Sequence, residues 1–364
     1  MNTIRTSGYG RLLAFFLIAL GLVLIFGFAA SGNDPEKESG TEDGYLSGNS
    51  PDDNTEADGE NEKPSEPEQT KYFNYLTGLQ LSEGDSHGVP VSFLLDTEAA
   101  LYGVSAAEVL IEIPIENGKT RMLAITTSFS GLGKIGAIAP TRGYITTFAR
   151  AFGSTLISYG VDDSLTYPEL ATPPEHLDLT RTTGYHYTEY SKYAYSNAAL
   201  ISHGLANSAL GLTPPEGALP FLFADSNANL SGTTCSKITL PYSTASATEL
   251  SYSKADGCYS IAKGTTAVYD MLSGEVPTFK NVILLYADSM TYETESETSF
   301  VMNTIGSGRG LYAVDGHVVN IRWQCSESGE MLFFTEAGER LAVSTGRTYI
   351  GLFKSSMSSG IIVR

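Results

Sequence analysis

Three ionisable residues offer the clearest chemistry in the first half of the sequence: Glu112, Arg121 and Arg142. They lie on adjacent predicted elements and are expected to converge. Arg142 stands where a helix is expected to begin, and the free N–H groups and dipole of a helix N-terminus favour an anion. A guanidinium there can grip a phosphate or carboxylate through two parallel hydrogen bonds. The competing reading is an internal Glu–Arg pair that only positions strands.

The remaining polar groups give weaker patterns. Asp162 and Asp163 follow a predicted strand, where carboxylates can hold a cation or exchange protons. Neighbours on an extended chain point opposite ways, so a solvated turn is the plainer reading. His87, His176, His186, His203 and His317 show no metal-binding spacing, and no G-x-S-x-G nucleophile elbow occurs. Gly306-Ser307-Gly308-Arg309-Gly310 imitates a phosphate loop but lacks the Lys-Ser/Thr that completes one, so it reads as a β turn. Tyr185, Tyr187, Tyr190, Tyr193 and Tyr195 crowd into one segment. Exposed tyrosines suit glycans and peptides, and packing between two domains is the alternative. No metal site and no cofactor is expected from any of these groups.

The cysteines are Cys235, Cys258 and Cys325. Outside the cell Cys235 and Cys258 are the expected disulfide pair, with three buried thiols as the alternative. No C-x-x-C spacing supports zinc.

The elements that must carry these residues divide into two styles. Residues 91–95, 121–127 and 155–159 read as short buried strands. Ser105-Ala106-Ala107-Glu108 looks like a helix start, and Thr141 is the expected cap of a helix through Tyr144, Phe148 and Phe152. Residues 196–210 form a further helix candidate, stopped by Gly211 and Pro214-Pro215. Beyond that point nearly everything reads as strand: residues 237–241, 249–253, 258–262 and 281–287. A hairpin follows, 309–314 and 317–323 around Asp315-Gly316, which suits a type I′ turn. A second is expected from 331–335 and 340–343, and residues 348–354 close the set.

The N-terminus points to a membrane. Residues 12–30, LLAFFLIALGLVLIFGFAA, carry no charge. A helix of that length covers about 28 Å, close to a hydrocarbon core of about 30 Å. Arg5 and Arg11 precede it, so residues 31–364 are expected on the extracytoplasmic side. Small residues at Gly27 and Ala29, and at Ala29 and Ser31, also suit a signal peptidase, so a cleaved signal peptide competes with a retained anchor. Residues 31–70 are almost free of apolar side chains and strongly acidic, and read as a disordered, self-repelling spacer. A formal net charge of −19 argues against nucleic acid as a partner.

Several short runs, in order, resemble the YerB-type lipoprotein family, bacterial envelope proteins defined by a domain of unknown function. Asn74-Tyr75-Leu76-Thr77-Gly78 is similar to the family's opening N-P-L-T-G. Gly103-Val104-Ser105-Ala106-Ala107 is similar to G-L-S-Q-A, and residues 111–125 match its V-E-G-G-x-T-R stretch. IGAIAPTRGY, residues 135–144, is similar to I-G-P-x-R-S-A-R-P-Y. Asn281-Val282-Ile283, Gly306-Ser307-Gly308, Trp323 and residues 346–350 then match in sequence. The departures fall on polar positions. No lipobox cysteine follows the apolar run, so a protein anchor must replace the lipid. Ala139 stands where the family has an arginine, and only Arg142 of that pair remains. Tyr159-Gly160-Val161-Asp162-Asp163 replaces H-A-G-G-S, and Ala194-Tyr195-Ser196-Asn197 replaces A-P-H-N. Asn197 is the polar group this last stretch retains, and the resemblance adds it to Glu112, Arg121 and Arg142 as a candidate ligand-binding residue.

The reading that results is an α+β protein. A membrane segment (residues 1–30) and an acidic linker (31–70) precede a mixed α/β domain (71–215) and an antiparallel β-rich domain (220–364). Its expected role is a binding or scaffolding module in the cell envelope, with an envelope protein or a cell-wall glycan as partner. The alternative is an enzyme acting on a wall glycan or its phosphorylated precursor through the Glu/Arg set.

Overall fold

The computed structural model describes residues 72–82, 88–161, 176–181, 184–189, 193–208, 210, 219–224, 232–243, 247–293 and 298–364. The expected membrane segment 12–30, the spacer 31–70, His87, Asp162, Asp163, Tyr190 and Pro214-Pro215 lie outside them. Among the described residues no helix is long and apolar enough to cross a membrane. Pro67–Arg364 form one compact unit.

The described residues are mostly strand, with two short α-helices. Five strands of the first half are β1 (Val91–Asp96), β2 (Val109–Pro114), β3 (Thr120–Thr126), β4 (Ile135–Ile138) and β5 (Thr155–Ser158). Every residue of β2 and β3 is buried. Such runs read as continuously apolar because both faces of the sheet are covered. On one face Ile111, Ile113, Leu123 and Ile125 pack with Ile145, Phe148 and Phe152 of helix α1 (Gly143–Ala151) and its end. On the other, Leu110, Met122 and Ala124 pack against Ile238, Leu240, Leu250 and Ile261, which belong to a separate six-stranded antiparallel sheet. Ile201 and Leu205 of helix α2 (Ala198–Asn207) join that second cluster. Fully burying one such side chain contributes about 1.5–3 kcal/mol, so the central strands are the stablest part of the fold.

The main sheet has fourteen strands and does not stop where the sequence changes style. β2 pairs in parallel with Thr348–Lys354, which pairs in parallel with Asn281–Ala287. Gly306–Val314 and His317–Cys325 then continue the sheet. The main sheet therefore runs on across residues 215–220, where the sequence changes style. Parallel pairing needs a long crossover, and no local pattern in β2 announces a partner more than two hundred residues away.

Smaller expectations divide. Asp315 (φ 50°) and Gly316 (φ 73°) form the left-handed pair that a type I′ turn demands. The expected helix start at Ser105 is only a 3₁₀ turn, Val104–Ala106, before β2 begins. Asp270 takes the amide and hydroxyl of Ser105, at 2.8 and 2.6 Å, which ties that turn down locally. α1 is entered from Arg142 rather than Thr141, whose amide is given to Gly160. The second expected hairpin makes a single bridge, Phe334 with Arg340; Ala342–Ser344 instead pairs in parallel with Leu222–Ala224.

Candidate functional site

Glu112 is fully buried at the middle of β2. Its Oε1 accepts hydrogen bonds from Thr248 Oγ1 (3.0 Å) and Lys263 Nζ, and its Oε2 accepts from Tyr349 OH at 2.6 Å. Lys263 also donates to Thr120 Oγ1 at 2.8 Å. Burial, reinforced by the Glu112 charge, pushes the phenols of Tyr349 and Tyr242 far above their ordinary range. The carboxylate therefore bolts the six-stranded sheet onto the main one. A buried acid needs such an environment, since an unpaired charge there is costly.

Arg121 and Arg142 lie on the opposite face. Strand periodicity decides this: Ile113 pairs with Arg121 and Glu112 with Met122, so Glu112 and Arg121 point to different layers. The expected convergence of Glu112 with the two arginines does not occur. Glu116, from the turn after β2, takes its place and pairs with Arg142. The same Glu116 oxygen accepts the Phe300 amide at 3.3 Å. Arg121 donates from Nη1 to the Pro140 carbonyl at 2.6 Å, and its Nε has no hydrogen-bond partner among the described residues. Burial first, and then the neighbouring Arg142 charge, lower the Arg121 pKa. Tyr144 completes the cluster by donating to the Pro114 carbonyl at 3.0 Å, and burial raises its pKa to about 12.

Asn197 is the N-cap of α2, its side-chain oxygen accepting the Leu200 amide at 3.0 Å. It shares no hydrogen bond with the other three candidates. Of the tyrosine-rich segment, Tyr185, Tyr187 and Tyr195 make ring contacts within the first half. Tyr195 and Tyr102 hold the Lys134 ammonium at 4.2 and 4.1 Å from their ring centres, and Glu189 grips it at 2.8 Å. Tyr185 packs edge-on to His203. All three cysteines are free thiols. The strand Ala247–Ser253 lies between the chain after Cys235 and the strand that Cys258 opens. Two strand spacings, about 10 Å, exceed the span of a disulfide.

A serine–histidine contact was not visible in the sequence pattern. Parallel pairing of β5 with His176–Asp178 puts Ser158 Oγ 2.7 Å from His176 Nε2. Burial drives the His176 pKa down to about 4. Ser158 Oγ also lies 2.9 Å from the Gly160 carbonyl, which can only accept, so its one proton is claimed there. Ser158 is fully buried, and Asp178 accepts the Gly160 and Thr180 amides, each at 2.9 Å. The group fixes a turn.

The open concavities lie elsewhere. Asn281–Ala287 pairs with Gly306–Val314 only as far as Leu285 opposite Gly310. Beyond that point Gly306–Val314 stays paired with His317–Cys325 alone. Trp323 fills the parting, its indole donating to the Tyr286 carbonyl at 3.2 Å. Gly308 is required beneath it, because a Cβ there would lie 2.5 Å from both the indole nitrogen and that carbonyl. The expected β turn at Gly306–Gly310 is thus strand. It borders two neighbouring clefts of about 320 and 260 Å³, sharing Ser307, Gly308, Arg309 and Trp323.

Comparison with known proteins gives a consistent result. Residues 76–209 match the N-terminal domain, and residues 238–350 the C-terminal domain, of a family described as protein of unknown function DUF3048. No curated protein matches. The crystal structure of YerB protein from Bacillus subtilis shares the fold with a TM-score of 0.69. It covers 81% of this chain and 100% of its own length at 18% identity.

Proposed function

Because the chain belongs to the DUF3048 family, whose two domains it carries in order, we propose that it is a membrane-tethered binding or scaffolding module of the cell envelope. Residues 12–30 are the anchor, 31–70 the acidic spacer, and the compact unit the part that meets a partner outside the cytoplasm. The observation that supports binding over catalysis is the placement of Glu112. It lies in a different layer from Arg121 and Arg142 and accepts hydrogen bonds from Lys263, Thr248 and Tyr349. Glu112, Arg121 and Arg142 on this reading hold layers together. A rigid two-layer body on a long charged tether suits a module that reaches partners away from the membrane.

The test has two arms. Protease added to intact protoplasts should digest the compact unit, and full protection contradicts the topology. In envelope extracts the wild type should retain a partner, and Arg142→Ala should lower the melting temperature without conferring or removing any turnover. Loss of turnover of a wall precursor by Arg142→Ala, with the fold intact, contradicts the module reading.

A further inference from the structure

The hairpin beside the sheet parting places Arg309 directly opposite Arg322. Side chains at directly opposed positions share one face with Cβ atoms about 5 Å apart, and like charges there repel. Both arginines are exposed, and neither forms an ion pair among the described residues. This occurs in a chain of formal net charge −19, where carboxylates are plentiful. Two residues along, Ser307 faces Gln324 in the same register, adding a hydroxyl and an amide to the same face. The smaller cleft, about 260 Å³, is lined by all four.

From this geometry we infer that Arg309 and Arg322 form a site for the phosphoryl group of a phosphate monoester. Each guanidinium presents several donors in a fixed fork. One fork saturates the two oxygens of a carboxylate, whereas the three terminal oxygens of a phosphoryl group can serve two forks and Ser307 together. A dianion also relieves the repulsion between the arginines. The larger cleft continues past Arg309 to Asp288 and Asn303. Asp288 repels a second anion and accepts hydrogen bonds, so the remainder of the ligand there is neutral and bears hydroxyls. The backbone beside the site is held where the Trp323 indole donates to the Tyr286 carbonyl across Gly308. The inference deepens the binding reading and rests on it only in treating the ligand as held rather than converted.

Trp323 is the only tryptophan, so its fluorescence reports on the cleft. The full chain in neutral detergent is titrated with glycerol phosphate, inorganic phosphate and acetate. A saturable response to glycerol phosphate is expected. Arg309→Gln and Arg322→Gln should each weaken it at least tenfold at unchanged melting temperature, and Lys254→Gln, at a distant exposed lysine, should not. Asp288→Asn should narrow the preference for glycerol phosphate over inorganic phosphate. Acetate binding as tightly as glycerol phosphate, or unchanged affinity in Arg309→Gln, overturns the site. Inorganic phosphate binding as tightly as the monoester overturns the assignment of the larger cleft to a hydroxyl-bearing remainder. Release of free phosphate from glycerol phosphate, lost in Arg309→Gln, would leave the site standing and overturn the binding reading instead.

Discussion

Lys263→Met removes the cation paired with Glu112 and leaves a fully buried carboxylate with two neutral donors, Thr248 and Tyr349. Breaking a buried ion pair from one side costs about 3–5 kcal/mol, since the remaining charge has lost its compensation. Lys263 is 24% exposed, so water partly replaces it and the lower end of that range applies, about 3 kcal/mol. For a unit of this size about 2–4 °C accompanies each kcal/mol, which makes the expected fall in melting temperature about 6–12 °C. Glu112→Gln combined with Lys263→Met removes the charge, keeps an acceptor for one hydroxyl and offers an N–H donor to the oxygen of the other, so the double variant should recover at least half of the loss. Urea unfolding of Pro67–Arg364 measures both, read as a shift in midpoint at constant slope. A single-variant cost below about 1 kcal/mol, the ordinary worth of an exposed ion pair, or a double variant no better than Lys263→Met, would refute the claim that this pair joins the two sheets.

Three further outcomes are expected. Asp270→Ala should cost about 3 kcal/mol, because the amides of Gly103, Ser105 and Leu272 lose their acceptor. Burial alone would raise the Asp270 pKa, but the hydrogen bonds from Ser105, Leu272 and Gly103 outweigh it and hold the carboxyl below its ordinary value. Its contribution is therefore full above the unfolded value of about 3.9 and is lost as pH falls below it, so wild type and Asp270→Ala should converge in acid unfolding. His176 is held neutral by burial with a pKa of about 4. The unfolded chain binds a proton below about 6.5 that the folded chain refuses, so stability should fall from pH 6.5 to 4, and His176→Gln should flatten that slope in thermal melts. Gly308→Ala should cost about 1–3 kcal/mol by overpacking and shift Trp323 emission, because a Cβ would strike the indole and the Tyr286 carbonyl; an unchanged spectrum contradicts the wedge.

Much of the strand content was legible because it is local. Lys237–Pro241, Asn281–Ala287, Met331–Thr335 and Thr348–Lys354 carry compact β-type runs, and Asp315-Gly316 states its own turn chemistry. What could not be read is pairing at a distance. β2 and Thr348–Lys354 are ordinary apolar runs, and nothing in either names the other as its parallel neighbour. The candidate site suffered for the same reason. Glu112 and Arg121 are nine positions apart across a turn, and only the register shows that they face opposite layers. The partner Glu116 sits in the turn between them, where no motif marks it. The serine–histidine contact joins β5 to a strand eighteen residues on, with no motif to flag it. The Gly-Ser-Gly-Arg-Gly run stands out by its glycines, while its place in the fold is set by Trp323 crossing Gly308.

The most direct measurement follows binding and turnover in one tube. Pro67–Arg364 is incubated with isolated cell-wall and envelope material and sedimented. Pelleted protein is quantified, and the supernatant is analysed by mass spectrometry for released wall fragments. Expected for a binding module is saturable pelleting with no soluble product above the buffer control, in the wild type and in Glu112→Gln alike. Soluble fragments in molar excess over the protein, abolished by Glu112→Gln or Arg142→Ala at an unchanged unfolding midpoint, would contradict it.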